Sequence, residues 1–442
     1  MHYLDNILFA ILLILGIGYF TLNCKKLLRN IKLGKEVDRS DRKNDRWKNM
    51  AMIALGQSKM VKRPVAGFLH IIVYVGFVII NIEVLEIIID GLFGTHRVFS
   101  FLGPVYNFLI ASFEILAFLV LMAVVIFYIR RNIINLKRFV HSDLKGWPKS
   151  DGNIILYFEV VLMGLFLTMN AADFHLQNVT GGFMHFSTAG SFPISQYIAL
   201  LFEGLPNPTV YVIERAAWWL HIIGILVFLN YLYFSKHLHI LLAFPNTYFA
   251  DLNPKGQFDN LEAVTKEVKL MMDPNADPYA AAPVDAVPTK FGASDVQDLN
   301  WVQLLNAYTC TECGRCTSAC PANQTGKKLS PRKIMMDTRD RMEEVGRNMD
   351  KNKGIFIPDN KTLLNDYITA EELWACTTCN ACVEECPVNI SPLSIIMEMR
   401  QYLVMEQSAA PLPLNAMMTN IENNGAPWQY NQQDRLNWKN EN

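Results

Sequence analysis

The stretch CTECGRCTSACP, residues 310–321, recurs with the same spacing as CTTCNACVEECP, residues 376–387. Each copy reads C-x2-C-x2-C-x3-C-P, and together they hold eight of the nine cysteines of the 442-residue chain. Such close spacing lets one tight turn present three sulfur atoms to a single iron–sulfur cube, and the proline ends the turn. The two stretches therefore predict two [4Fe–4S] clusters.

The repeat also predicts which cysteine serves which cluster, because the fourth cysteine of such a run ligates the cluster of the other run. The expected ligands of cluster 1 are Cys310, Cys313, Cys316 and Cys386, and those of cluster 2 are Cys376, Cys379, Cys382 and Cys320. A zinc site takes four ligands, usually as two CxxC pairs, and would leave a cysteine of each run unused. Disulfides are disfavoured in a reducing cytoplasm, where we expect this half of the chain to lie.

The first 250 residues hold nearly all the long apolar runs. The chain is 51% hydrophobic with a mean hydropathy of +0.16, which is high for a soluble protein. Five segments reach the 20 or so apolar residues that a membrane helix needs. They cover roughly 6–24, 65–90, 103–129, 152–173 and 209–243. The formal net charge of −1 gives no basic excess for nucleic acid, so we expect lipid as a partner and no nucleic acid.

Lysine and arginine are unevenly distributed among the loops. Residues 25–65 hold thirteen of them and residues 130–149 hold six, whereas 91–104 holds only Arg97 and 174–208 holds none. Because cytoplasmic loops carry the excess of Lys and Arg, we expect a multi-pass protein of the cell inner membrane. Its N-terminus would lie outside and its cysteine runs would face the cytoplasm.

Histidines inside apolar spans are costly and usually functional. His70 lies in the second predicted span, and His221 and His239 in the fifth, with His237 alongside. On one continuous helix, His221 and His239 would share a face about 27 Å apart, which suits two haems b stacked across a bilayer. His237 would point elsewhere and is expected at the surface. The alternative for each is a hydrogen-bonded structural histidine.

The stretches GFLHIIVYVGF (67–77) and WLHIIGILVFLNYLYFSKHLHILLAFP (219–245) resemble haem-binding helices. They are similar to those of the respiratory nitrate reductase gamma subunit and of the cytochrome b subunit of heterodisulfide reductase. The resemblance covers about residues 1–250. It implies that His70 and His239 ligate an inner haem b.

The same resemblance implies an outer haem with His221 as one ligand. The family's second ligand falls on Ile80 in this sequence, which departs from the pattern. His175, at the outer end of the fourth span, is the candidate substitute; otherwise the outer haem is absent.

Residues 300–405 resemble the small iron–sulfur subunit of heterodisulfide reductase. We therefore expect an all-α protein that begins with a five-helix transmembrane cytochrome b bundle over 1–250. A linker over 251–299 would lead to an α-helical ferredoxin domain with two [4Fe–4S] clusters over 300–408. Residues 409–442 would form a tail, either disordered or docked on a partner through Trp428, Tyr430 and Trp438.

The sequence contains no GxGxxG dinucleotide motif after a strand and none of the CCG repeats that hold a catalytic cluster in heterodisulfide reductases. It therefore predicts an electron-transfer subunit, with the catalytic centre on another chain. Electrons would pass between menaquinol or a related quinol, haem b, the two clusters and a soluble partner of the CCG type or another catalytic subunit. The alternatives are a self-contained enzyme and a structural membrane subunit with a vestigial haem site.

Several carboxylates lie toward the outer ends of the spans, namely Glu83, Glu86, Asp173 and Glu214, the last beside Arg215. One interpretation is a relay for the two protons that a quinol releases on oxidation. The other is that they reach to the interface or pair with Arg215.

Overall fold

A computed structural model describes residues 3–179, 183–184, 186, 188–258, 260–275, 290–429 and 431–440. Tyr430 and residues 276–289, which the sequence assigns to the tail and the linker, lie outside these ranges. Helices dominate the described residues and no strand forms among them, so the all-α expectation is confirmed.

The α-helices of the first half are α1 (Leu4–Ile31), α2 (Lys43–Met50), α3 (Pro64–Phe93), α4 (Pro104–Asn132), α5 (Trp147–Gln177), α6 (Ser195–Ala199), α7 (Asn207–Tyr231) and α8 (His239–Tyr248). Those of the second half are α9 (Glu262–Met272), α10 (Trp301–Thr309), α11 (Arg315–Ala319), α12 (Pro321–Gln324), α13 (Pro331–Lys351), α14 (Leu363–Asp366), α15 (Ala370–Trp374), α16 (Ala381–Glu385), α17 (Pro392–Gln401) and α18 (Leu412–Asn424).

Proline sets the start of four of the five long helices. Pro64, Pro104, Pro148 and Pro208 each occupy the first or second helical position, where the missing N–H costs nothing. At the other end of α3, Gly94 closes the helix in the left-handed conformation with φ 70°.

In the part of the chain that the structure describes, five helices are long and apolar enough to cross a membrane: α1, α3, α4, α5 and α7 with its continuation to Phe234. In the most apolar part of each, only 17% to 39% of the residues are buried inside the protein. Their remaining apolar side chains face outwards, which is stable only in a lipid environment. The chain is therefore a multi-pass membrane protein, as predicted.

The fifth span does not run as one helix over 209–243, and the expectation that His221 and His239 share a helix face is wrong. The α-helix ends at Tyr231, and Ser235 is extended with φ −117° and ψ 146°. A new helix, α8, begins at His239. The two histidines therefore lie on separate helices.

The buried carboxylate of Asp151 stabilises this break in the helix. Asp151 accepts a hydrogen bond from the Tyr231 hydroxyl at 2.6 Å and from the Lys236 backbone N–H at 3.2 Å. The Ser235 side chain accepts the N–H of His237 at 3.1 Å. Backbone groups that a continuous helix would pair internally thus find side-chain partners instead.

The cysteine-bearing half packs against the end of the bundle where α1 ends and α5 begins. Asn30 donates to the Tyr308 hydroxyl at 2.9 Å, and a Cβ on Gly346 would lie 2.5 Å from the Asn30 side chain. Arg332 is fully buried and donates to Asp143 at 3.1 Å. Close backbone approach and buried polar contacts hold the two halves in one arrangement.

Residues 290–299, the last part of the expected linker, pack with the cysteine-bearing half. Ala293, Val296 and Leu299 are buried, and the Ala293 N–H donates to the Glu398 carbonyl at 3.0 Å. The folded part of this half therefore begins about ten residues before 300.

Candidate redox centres

The two cysteine runs fold in the same way. In the first run Glu312 and Gly314 have positive φ, at 54° and 71°; in the second, Thr378 and Asn380 have φ 55° and 58°. These pairs stand two and four positions after the first cysteine of each run. Left-handed residues at these positions bend the backbone into a tight loop around its sulfur atoms.

A short helix follows each loop and leads to the fourth cysteine. These helices, α11 and α16, pack against each other. Each ends at an extended cysteine, Cys320 with φ −71° and ψ 118° and Cys386 with φ −70° and ψ 123°. The two runs thus face one another as near-copies, and each can send its last cysteine across to the other.

Cys386 of the second run lies with the cysteines of the first. Its thiol interacts electrostatically with Cys313, and both Cys310 and Cys316 interact with it. Burial raises the pKa of Cys386 to about 11 and that of Cys310 to about 12. Thiols this hard to ionise become thiolates when a metal cation replaces the proton.

Cys320 of the first run lies with the cysteines of the second. Cys376 and Cys382 each interact with both Cys320 and Cys379. Cys379 is exposed, whereas Cys310 and Cys386 are buried. The first group therefore lies deep and the second reaches the surface; that each group ligates a cluster stays a prediction.

The first group of cysteines lines one cavity. Cys310, Cys313, Cys316 and Cys386 surround it, with Arg315 and Met335 among the other walls. Among the described residues, no three His, Cys, Asp or Glu side chains close around a point fit for one metal ion. A four-iron cube spaces its thiolates more widely than a single ion does, so this finding does not conflict with a cluster.

His70 on α3 and His239 at the start of α8 face each other. Their ring centroids lie 6.5 Å apart. Metal–nitrogen bonds of about 2.0 Å on either side of one iron require a centroid separation of roughly 6 Å. The pair therefore fits axial ligation of one haem iron.

The surroundings of the two rings suit ligands as well. The His239 Nδ1 lies 3.2 Å from the Lys236 carbonyl, so it can donate there and leave Nε2 for a metal. Burial lowers the pKa of His239, which favours the neutral ring that a ligand needs. The Nδ1 of His70 is buried and has no hydrogen-bond partner among the described residues.

His237 is not the surface residue that we expected. Its ring lies 5.3 Å from that of His239 and 5.4 Å from that of Phe228, centroid to centroid. Burial lowers its pKa to about 3, so it stays neutral. The break after Tyr231 turns this residue inwards, which a continuous helix would not do.

The expected outer ligands are not brought together. His221 is buried with its ring 5.8 Å from that of Phe166, whereas His175 packs on Phe202 at 6.4 Å. Phe166 and His175 are separated along α5 by a rise of about 13 Å. The two imidazoles lie at different depths, so the structure does not bring His175 and His221 together, and an outer haem stays a prediction.

Polar contacts link the first cysteine group to Lys59 and Met60, in the loop before α3. Arg315 is buried and donates to the Lys59 carbonyl at 3.2 Å and to the Met60 sulfur at 2.8 Å. The Lys59 ammonium donates to the Cys386 carbonyl at 3.2 Å. The charge of Arg315 also acts on His70, so the histidine pair and the first cysteine group are near neighbours.

Sequence reasoning missed these contacts. One signal was present: Arg315 stands just before the third cysteine of its run, where the other run has Ala381. No such signal marks Lys59 and Met60, because their local sequence does not differ from the rest of this basic loop.

Residues 309–390 match the family model of the 4Fe–4S dicluster domain. This part of the chain is a 4Fe–4S dicluster domain. The match spans both cysteine runs and the helices between them, and it confirms the iron–sulfur prediction at the level of the domain.

Three relatives place the dicluster domain in context. The chain is 30% identical to the Probable iron-sulfur-binding oxidoreductase FadF of Bacillus subtilis (strain 168), over 99% of this chain and 61% of that protein. It is 27% identical to the EtfAB:quinone oxidoreductase of Syntrophomonas wolfei, over 98% of this chain and 59% of that protein. The chain thus spans about three fifths of the length of these relatives.

The third relative matches only about a quarter of the chain. It is one of the subunits of the ferredoxin/F(420)H(2)-dependent CoB-CoM heterodisulfide reductase of Methanosarcina acetivorans, 34% identical over 24% of this chain and 52% of that protein. The predicted resemblance of the cysteine-bearing half to an iron–sulfur subunit of heterodisulfide reductase is therefore confirmed. No solved structure matches the chain. The chain is a multi-pass membrane protein with a 4Fe–4S dicluster domain, similar to oxidoreductases and to subunits of oxidoreductases.

Proposed function

We propose that this chain carries electrons between a membrane quinol, menaquinol or a related one, and a soluble redox partner. The path runs through a haem b held by His70 and His239 and then through the two clusters of the dicluster domain. Haem iron and the cubes each take one electron at a time, so the chain divides a two-electron substrate into single steps.

The neighbouring imidazoles of His70 and His239, with ring centroids 6.5 Å apart, carry this proposal. They form a bis-histidine site at the end of the bundle on which the dicluster domain sits. A haem there would be the nearest neighbour of cluster 1.

The relatives support the two ends of the path. One is named an iron–sulfur-binding oxidoreductase, and the name of another joins EtfAB to a quinone. We infer a quinone at the membrane end. At the other end we infer either a CCG-type catalytic protein or a soluble electron carrier such as EtfAB.

The exit of the path is the second cysteine group. Cys379 is exposed, and all eight cysteines of the runs are needed to ligate two cubes. The clusters therefore relay electrons, and the partner provides the catalytic centre.

The basic loops support a cytoplasmic dicluster domain. Lys62 pairs with Glu384 at 2.6 Å and Arg63 with Glu385 at 3.0 Å, so the loop richest in Lys and Arg lies at the same end as the dicluster domain. By the positive-inside tendency, this arrangement supports a cytoplasmic location for that end.

The haem assignment is tested by the dithionite-reduced optical spectrum of the purified chain. We expect a b-type α-band, lost in His239→Ala and kept in His175→Ala, because His175 faces Phe202 and not the pair. A wild-type chain without that band would overturn the proposal and favour a structural membrane subunit with a vestigial haem site.

A further inference from the structure

A cavity of about 370 Å³ lies at the end of the bundle away from the dicluster domain. Its apolar wall is formed by Phe9, Ile87, Met169, Trp218 and Trp219. Its polar wall is formed by Glu83, Glu86, Arg97, Asp173, Glu214 and Arg215. The volume falls in the range of small-molecule pockets, about 300–1,000 Å³.

Arg97 organises the polar wall from inside the protein. It is only 6% exposed, and it donates to Asp173 at 2.6 Å, to Asn170 at 2.8 Å and to the Tyr106 hydroxyl at 3.2 Å. A buried guanidinium with this many fixed partners is a rigid positive centre. Its positive charge offsets the negative charges of the carboxylates around it.

Glu83 differs from the other buried carboxylates of the wall in its hydrogen bonding. Glu86 is fully engaged: one oxygen accepts from the Phe99 N–H and the other from the Tyr106 hydroxyl, both at 2.9 Å. Glu83 is 2% exposed, and one of its oxygens lies 3.6 Å from Arg97. Its other oxygen has no hydrogen-bond partner among the described residues.

An unpaired buried carboxylate oxygen is costly unless a ligand satisfies it. A metal cation is a poor candidate, because Ca²⁺ or Mg²⁺ takes six or more oxygen ligands and the neighbouring oxygens are already bonded to Arg97 and Tyr106. A hydroxyl donor with a flat apolar body suits the site better. Trp218 and Trp219 line the same cavity as Glu83 and supply aromatic surface for such a body.

We propose that this cavity is the quinol site and that Glu83 accepts the proton of a bound hydroquinone hydroxyl. This inference rests on the proposed function, whose substrate it places. On oxidation the hydroquinone becomes a quinone and loses two electrons and two protons. The electrons pass singly to the one-electron metal centres, and each proton passes to Glu83 and from there to water at the outer face.

The position of Glu83 gives the step a direction in space. Glu83 and His70 lie on the same helix, α3, separated by a rise of about 20 Å. Electrons would leave the cavity toward the dicluster domain while protons leave on the opposite side. Quinol oxidation at this site therefore separates charge across the membrane.

The test uses the full chain in detergent with a soluble naphthoquinol as donor and a naphthoquinone as ligand. Glu83→Gln keeps the shape of the side chain and removes its basicity. Glu203→Gln is the matched control, because Glu203 is exposed and lies outside the cavity. Reduction of the metal centres is followed optically, and naphthoquinone binding is followed by tryptophan fluorescence.

We expect Glu83→Gln to slow naphthoquinol-driven reduction at least tenfold, while dithionite reduces its metal centres as fully as in wild type. Glu83→Asp should recover part of the rate, and Glu203→Gln should match wild type. A normal rate in Glu83→Gln, or naphthoquinone binding that leaves the fluorescence of Trp218 and Trp219 unchanged, would overturn the assignment. If wild type binds naphthoquinone here but naphthoquinol never reduces its metal centres, the proposed electron path fails and the site stands.

Discussion

The cysteine groups and the histidine pair are built in opposite ways. All eight cysteines lie within residues 310–386, on two loops of the same backbone shape, and positive-φ residues such as Gly314 and Asn380 set that shape locally. His70 and His239 come from helices far apart in sequence, and the second is positioned by a break in the chain that a third helix enforces. Short-range spacing thus specifies one centre, and buried tertiary contacts specify the other.

The largest effect is expected from Cys386→Ser. Cys386 belongs to the second run, but we expect it to ligate the cluster of the first run. Because Cys386 lies with the first run, the cluster of that run should be lost and about half of the iron with it. Iron analysis and low-temperature electron paramagnetic resonance measure this. Cys24→Ser, which changes a thiol outside both runs, should leave iron content unchanged; loss of the second-run cluster instead would contradict the exchange of fourth ligands.

The next effect is expected from Arg332→Ala, which breaks the contact between the two halves. Arg332 is fully buried, and its removal takes away the guanidinium that pairs with the Asp143 carboxylate and leaves it only Ser330 and His141, at a cost of about 3–5 kcal/mol. Thermal unfolding measures it. Lys328→Ala, which removes an exposed pair with Glu371, should cost about 1 kcal/mol or less; equal losses in the two variants would show that the buried pair does not hold the halves together.

The contribution of the Arg332–Asp143 contact to stability should depend on pH. Burial opposes ionisation of Asp143, but hydrogen bonds from Arg332 and Ser330 and the charge of Arg332 outweigh it and lower its pKa below the ordinary 3.8. A lowered carboxyl pKa contributes stability that is complete above pH 3.8 and is lost as the pH falls through the folded value. Wild type should therefore lose more stability than Asp143→Asn between about pH 4 and pH 3, as measured by denaturant unfolding at each pH.

The smallest effect is expected from Asp151→Ala, which removes the carboxylate that holds the fifth span broken. The Tyr231 hydroxyl and the Lys236 N–H lose their acceptor, at a cost of roughly 1–3 kcal/mol. We expect haem to be retained more weakly while the iron–sulfur content stays that of wild type, measured by haem loss on dilution in detergent. Loss of iron–sulfur iron without loss of haem would contradict this expectation, because it would show that Asp151 supports the cysteine groups and not the histidine pair.

Much of the fold could be read from local pattern. The five spans follow from runs of apolar residues, because a helix must pair its own backbone in lipid, and proline marks where four of them start. The break after Tyr231 could not be read, because residues 231–239 contain neither proline nor glycine to mark the end of a helix. It depends on Asp151, which is distant in sequence and meets the break only in the folded chain.

By itself the sequence determined that the chain crosses a membrane and carries a dicluster domain, since bilayer thickness and cube geometry act on neighbouring residues. Only the tertiary structure decided that His70 and His239 lie together, that His175 and His221 do not, and that one oxygen of the buried Glu83 has no hydrogen-bond partner among the described residues. These depend on where separate helices come together. Burial and hydrogen bonding over long sequence separations decide that, and no local spacing encodes it.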